Sequence, residues 1–236
     1  MSQILFHSYG NAQKVIIMLP GWKYPPEMEP KFIKLLSEKY RLVTVQLPGY
    51  WDNPDASTFL DFSELAEMIL HELNTQKIVP SAWVGFSMGC KLFMEIEHCK
   101  PNIVPSIFVG CPQGKYQVPS WGRVLLTSKR IVLLLRKNPM SKKYIVRMAL
   151  KTLKNHDLDQ VTVTGAFDSL LGLLRSTVRP TPKTLQSLYI YGNRDRYLSI
   201  AQEKCLPNLA IIPNADHNCV RDHEPEVVAL IDKALT

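Results

Sequence analysis

The chain has 236 residues, 46% hydrophobic and 21% charged, ordinary proportions for one sizeable globular domain with or without an insertion. No apolar run approaches the roughly 20 residues that span a bilayer, and the opening MSQILFHSYG lacks the basic start and long apolar core of a secretory signal, so neither a membrane helix nor export is expected. The net charge is +7, and five cysteines without a Cys-x-x-Cys pair fit a reduced, cytoplasmic compartment with buried thiols.

Ser2 to Ser8 alternates weakly, and Gly10-Asn11 offers a turn. Lys14 to Leu19 (KVIIML) is a β-branched run that stops at Pro20-Gly21 and reads as a buried strand. Pro30 to Lys39 places Phe32, Ile33, Leu35 and Leu36 on a helical face. Leu42 to Leu47 (LVTVQL) is a second strand, again stopped by Pro-Gly, at Pro48-Gly49. Phe62 to Leu73 is helical, with Leu65, Met68, Ile69 and Leu73 on one side. Ser81 to Phe86 reads as a strand, Met88 to His98 as a helix and Ile103 to Gly110 as another strand. Further strands are expected at Ser187 to Tyr191 and Leu209 to Ile212, and a closing helix from Glu224 to Leu235. This alternation implies an α/β fold: a mostly parallel sheet with helices on both faces. Ligands of such sheets bind at the carboxyl ends of the strands. Trp22, Ser87, Asp195 and His217 all fall just after expected strands.

Residues 112–184 interrupt the alternation. They hold fourteen Lys and Arg against Asp157, Asp159 and Asp168, a net +11 that leaves −4 for the rest of the +7 chain. Their patterning is helical, so they are expected to form a basic cap over the strand ends, with 1–111 and 185–236 as the core. Lys143, Arg147 and Lys151 recur every four residues, with Lys154 following, which makes one helical stripe. Ile145, Met148, Ala149 and Leu153 are then expected to face the core. Arg123, Arg130 and Lys137 form a second line. Such cations suit an acidic partner, and a merely solvated surface is the plain alternative. Anionic membrane lipid would be served by the same charge, though it is not the favoured partner. Nucleic acid is not expected, as no recognised binding motif accompanies the charge.

The chemistry is concentrated at Gly85-Phe86-Ser87-Met88-Gly89, a G-x-S-x-G pattern between an apolar strand and a helix. Its glycines let the backbone close tightly around the serine. The helix that follows points its first N–H groups at developing negative charge. A tight turn without chemistry is the alternative. A nucleophilic serine needs a base, and the base an orienting acid, in the chain order Ser, acid, His. Of six histidines only His217 and His223 follow the last strand. His217 lies in the polar loop NADHN, and His223 stands where the final helix starts. Asp195 ends the strand-turn YIYGNRD, so the expected triad is Ser87, Asp195 and His217. Asp216 is a rival acid, and a solvated Asp195 paired with Arg194 or Arg196 is the structural alternative. The expected oxyanion donors are the backbone N–H groups of Met88 and Trp22. Pro20 has no N–H, and Gly21 admits close approach, although Pro20-Gly21 could equally serve only to turn the chain.

Together these motifs resemble those of the α/β-hydrolase superfamily over nearly the whole chain. The carriers are LPGW (Leu19 to Trp22), LPGY (Leu47 to Tyr50), GFSMG, GNRD (Gly192 to Asp195) and DHN (Asp216 to Asn218). The superfamily usually has His-Gly where this chain has Pro20-Gly21, and often Asp where it has Gln46. No metal cluster or phosphate loop competes, so no cofactor and no metal are expected. Size, the Gly-Trp loop and the basic cap further resemble the pimeloyl-acyl-carrier-protein methyl ester carboxylesterases of biotin synthesis. That resemblance implies a serine esterase whose cap docks an acidic acyl carrier protein, with Arg123, Arg130, Lys143, Arg147 and Lys151 as docking candidates. Leu125, Leu134 and Phe167 would line an acyl channel or fill the cap core. A thioesterase or lipase-like hydrolase with the same triad is the alternative activity. A catalytically silent hydrolase fold used as a binding module is the alternative of another class.

Overall fold

The computed structural model describes residues 4–23, 29–51, 53, 61–101, 104–112, 134–135, 137–152, 161–176, 181, 186–195 and 206–236. Seven strands form one sheet: β1 (Leu5–Tyr9), β2 (Val15–Leu19), β3 (Arg41–Gln46), β4 (Ala82–Phe86), β5 (Ser106–Val109), β6 (Leu188–Gly192) and β7 (Leu209–Ile212). Their order is β1-β3-β2-β4-β5-β6-β7. Among these described strands only β1 runs antiparallel, with Leu5 opposite Gln46, and the other strand pairings are parallel.

The apolar runs are continuous because both faces of the inner strands are covered. Ile17 and Leu19 of β2, Val43 and Val45 of β3, and Trp83 of β4 pack under α2 (Phe62–Thr75) and α3 (Met88–Cys99). Ile16, Met18, Val84 and Ile107 face the other way, against α1 (Pro30–Ser37) and α7 (Glu224–Leu235). Each such side chain is worth about 1.5–3 kcal/mol relative to exposure. Asp61 starts α2 by accepting the Glu64 N–H at 3.2 Å. β5 begins at Ser106, after Pro105, which has no N–H to give the ladder; the expected start, Ile103, lies outside the described residues. The four-residue α6 (Cys219–Asp222) was not expected, being too short to show a period.

Within 112–184 the described residues include α4 (Pro139–Thr152) and α5 (Val163–Arg175). No described helix is long and apolar enough to cross a membrane. Thr162 caps α5 by accepting the Gly165 N–H at 3.0 Å. Phe167 is fully buried in the main core, as a core-filling residue would be, and Leu134 is 68% exposed. Leu125 lies outside the described residues. Of the residues expected on the inner face of α4, Ile145 packs against the core and Met148 does not. Val146 is the buried residue, Ile145 packs beside it, and Met148 is exposed at the rim. Successive residues turn about 100° around a helix, so an inner side that holds Ile145 and Val146 leaves Met148 off it. Lys143 and Arg147 are exposed as expected. Arg123, Arg130, Leu153 and the side chains of Ala149 and Lys151 lie outside the described residues.

Candidate active site

Three loops meet at the carboxyl ends of β4, β6 and β7. Ser87 follows β4 at φ 48°, ψ −109°, a left-handed conformation that only a sharp strand-to-helix turn imposes on serine. A Cβ on Gly85 would stand 2.8 Å from the Cys90 nitrogen, and one on Gly89 would stand 2.5 Å from the Leu19 carbonyl oxygen. The two motif glycines therefore let α3 fold back on β4 and close against β2. The Ser87 N–H is bound to Val109 O at 2.8 Å, which fixes the turn to β5.

The Asp195 loop and the His217 loop are laced together. Asn193 N–H donates to Ile212 O at 3.1 Å and Arg194 N–H to Ala215 O at 2.9 Å. The Asp195 carboxylate is wholly buried and lies 2.9 Å from His217 Nδ1. His217 Nε2 lies 2.9 Å from Ser87 Oγ. With the serine hydroxyl donating to Nε2, the neutral ring carries its proton on Nδ1 and donates it to Asp195. Phe86 stacks on the imidazole, with ring centroids 5.8 Å apart.

The rivals lie elsewhere. Asp216 is exposed, and its Oδ1 accepts the Asn218 N–H at 2.7 Å. His223 begins α7 and faces Glu226 at 3.7 Å. Arg194 donates to the Asn214 side chain at 3.0 Å rather than pairing with Asp195, and Arg196 lies outside the described residues. Two buried thiols near the site, Cys90 and Cys219, stay protonated. Burial, then Cys111, holds Cys90 well above the usual thiol range. Burial, then Asp195 and Asp216, pushes Cys219 up to about 12.

Met88 is the first residue of α3, and the β2–β4 register pairs Leu19 with Gly85. The first turn of α3 therefore lies against the end of β2, where a Cβ on Gly89 would meet the Leu19 carbonyl oxygen, and Gly21-Trp22 follow two residues on. Trp22 is part-buried, and its indole Nε1–H donates to Ala166 O of α5 at 2.9 Å. Two residues to which the sequence reading gave no role at the site complete the surroundings. Gly110, at φ +60°, lies under the His217 ring. Tyr50 accepts the Lys23 N–H at 2.9 Å. Gln46, where the superfamily often has Asp, is fully buried, and its side-chain amide has no hydrogen-bond partner among the described residues.

A mostly parallel sheet with a serine on a strained strand-to-helix turn, facing a histidine and a buried carboxylate, defines an α/β hydrolase. The chain matches the α/β hydrolase family over residues 16–230 and belongs to it. Over 104 residues it is 29% identical to a pimeloyl-[acyl-carrier protein] methyl ester esterase of Yersinia enterocolitica, covering 44% of this chain and 38% of that one. Over 89 residues it is 27% identical to the protein of that name from Edwardsiella ictaluri, covering 38% and 33%. The matched stretches thus span about a third to two-fifths of those relatives. Among solved structures, a thermophilic esterase from Thermogutta terrifontis superposes with a TM-score of 0.73 at 14% identity, covering 100% of this chain and 95% of that one. An esterase from Exiguobacterium antarcticum gives 0.70 at 18%, covering 99% and 96%. At these identities the likeness is one of fold.

Proposed function

We propose that the protein is a serine hydrolase of carboxylic esters. The observation that carries this reading is the unbroken line from Ser87 Oγ through His217 to the buried Asp195, with 2.9 Å at each step. Ser87 Oγ attacks the ester carbonyl as His217 Nε2 takes its proton. The tetrahedral oxyanion is held by the N–H groups of Met88 and Trp22. His217 then gives the proton to the departing alcohol, leaving Ser87 acylated. Water, deprotonated by His217, attacks the acyl-enzyme, and the acid leaves with Ser87 Oγ reprotonated. Asp195 holds the tautomer and faces the imidazolium. None of these steps calls for a metal or cofactor.

The finer reading is the methyl ester of pimeloyl-acyl carrier protein. The names of the relatives and the basic 112–184 segment, read as a cap, support it; an acidic carrier would dock on Lys143 and Arg147, with Arg123, Arg130 and Lys151 beyond the described side chains. A second reading keeps the triad and moves it to a lipid ester or thioester at an anionic membrane. Its support is the outer surface of α4, where Met140 is 76% and Tyr144 66% exposed, one turn apart, beside Lys143 and Arg147.

The test is turnover of pimeloyl methyl ester on acyl carrier protein at low and high salt, beside a short soluble ester, with Ser87→Ala as control. Ser87→Ala is expected to lose about a million-fold in kcat. Full activity in that variant overturns the nucleophile. Salt-sensitive demethylation supports the carrier. Hydrolysis of short esters alone keeps the esterase and discards the carrier. If a fluorophosphonate fails to label Ser87 in a His217-dependent way, the fold is a silent binding module.

A further inference from the structure

We propose that Tyr50 is a positioning residue for the oxyanion loop, which it ties to α5; this rests on the hydrolase reading above. Lys23, next to the oxyanion donor Trp22, is buried and sits at φ +54°, a backbone conformation uncommon for a residue with a side chain. What holds it is a one-way relay of hydrogen bonds. Lys23 N–H donates to Tyr50 Oη at 2.9 Å, Tyr50 O–H donates to Ser169 Oγ at 2.8 Å, and Ser169 O–H donates to Gly165 O at 2.7 Å. Ser169 Oγ also lies 3.3 Å from Ala166 O, so its proton stays on α5 carbonyls, and the chain has a single polarity whose members strengthen one another. Tyr50 is fully buried, and burial pushes its hydroxyl up to about 12, so it keeps its proton.

The far end of the relay is itself fixed. Thr162 N–H donates to Gly49 O at 2.8 Å, and Tyr50 bridges Val161. Gly49 and Gly165 touch through their backbones: a Cβ on Gly49 would lie 2.7 Å from Gly165 Cα. Residues 49–50 and the start of α5 therefore form one block. Trp22 is tied to that block twice, through its indole on Ala166 and through the following peptide on Tyr50. With the side chain and the next peptide both held, Trp22 cannot rotate, and its own N–H keeps its aim at the oxyanion. A donor aligned before reaction stabilises the transition state without reorganisation. Phenylalanine at position 50 would fill the same space but leave the Lys23 N–H buried without its acceptor.

The experiment compares wild type, Tyr50→Phe and Ser169→Ala on a short soluble ester, per active site titrated with a fluorophosphonate. Inhibition by a trifluoromethyl ketone, which adds to Ser87 and places an oxyanion in the hole, is measured alongside. Tyr50→Phe is expected to lower kcat about 10- to 100-fold with KM within about twofold, short of the full loss of an oxyanion donor. The ketone's Ki should rise by the same factor, while the pH midpoint of kcat/KM set by His217 stays put. Ser169→Ala leaves Tyr50 as acceptor but cuts the relay, so a smaller loss of the same kind, about two- to fivefold, is expected. A lowered melting temperature with unchanged kcat and Ki per titrated site makes Tyr50 a packing residue and overturns the proposal. So does a raised KM with unchanged kcat. If Tyr50→Phe does not fold, unchanged kcat and Ki in Ser169→Ala overturn it. If wild type shows no Ser87-dependent turnover, the hydrolase reading fails and this one with it; if wild type turns over and both variants match it, this one alone fails.

Discussion

Gly110 shows how much a site of this kind depends on a residue with no side chain. Its φ is +60°, and a Cβ there would lie 2.9 Å from His217 Cε1, 3.0 Å from Nδ1 and 3.5 Å from Asp195 Oδ2. The floor beneath the imidazole is bare backbone, held by the Gly110 N–H on Ile190 O at 2.9 Å. Gly110→Ala must therefore push the ring off its line between Ser87 and Asp195. A displacement near 1 Å costs about 100-fold in rate. We expect kcat to fall by that order while KM changes little, and fluorophosphonate labelling of Ser87 to slow in step. Full labelling speed in a folded Gly110→Ala protein would show that the ring is not held there. Ser87, Asp195 and His217 were legible from the chain because each stands in a local turn signal after an apolar strand. Gly110 and Tyr50 were not. A glycine after a strand announces only a turn, and Tyr50 stood in view as the last letter of a motif. What each touches is set by strands and helices distant in the chain.

Element by element, the sheet was the most readable part, since an apolar run bounded by Pro-Gly has few meanings. Helix faces were less so, as Met148 on α4 shows. Least readable were the joints between helices, where charge and burial compete. Glu29 stands at the start of α1 and accepts Arg221 Nε–H at 3.2 Å. Glu224, the first residue of α7, is bound by Lys31 at 3.1 Å. Burial first, then Glu224 and Asp222, pushes the Glu29 carboxyl up to about 7. An acid whose folded value is raised binds more protons folded than unfolded between those two values. Its contribution is favourable below the ordinary carboxyl value near 4.5 and is lost as pH rises through about 7. Glu29→Gln mimics the protonated side chain. Melting temperatures should match wild type at pH 5 and exceed it at pH 8, flattening the decline between. Equal wild-type and variant curves across that window would mean that Glu29 ionises freely in the joint.

At the scale of the whole molecule, charge is the property the fold leaves over. The fold class needed only the order of strands and helices, but nothing in that order dictates +11 in residues 112–184 and −4 elsewhere. Lys142 is engaged by the Thr164 hydroxyl at 2.7 Å and helps dock α4 on α5. Lys143 and Arg147 are exposed on the outer side of α4, where a cation contributes little to stability but much to the capture of an anionic partner. Such steering raises association about 10- to 1,000-fold and is screened over roughly 8 Å at physiological salt. Lys143→Glu with Arg147→Glu should therefore cut kcat/KM for a carrier-borne ester about tenfold or more at low salt and flatten its salt dependence. A short soluble ester meets no such field, so its kcat/KM should stay within about twofold. The same variant should release the protein from anionic vesicles only if the lipid reading is the right one, which separates the two partners with one pair of substitutions. If both esters are lost equally and the melting temperature falls, the substitutions have disturbed the packing of α4. If neither ester changes, the positive segment is a solvated surface and the partner, should there be one, is recognised elsewhere.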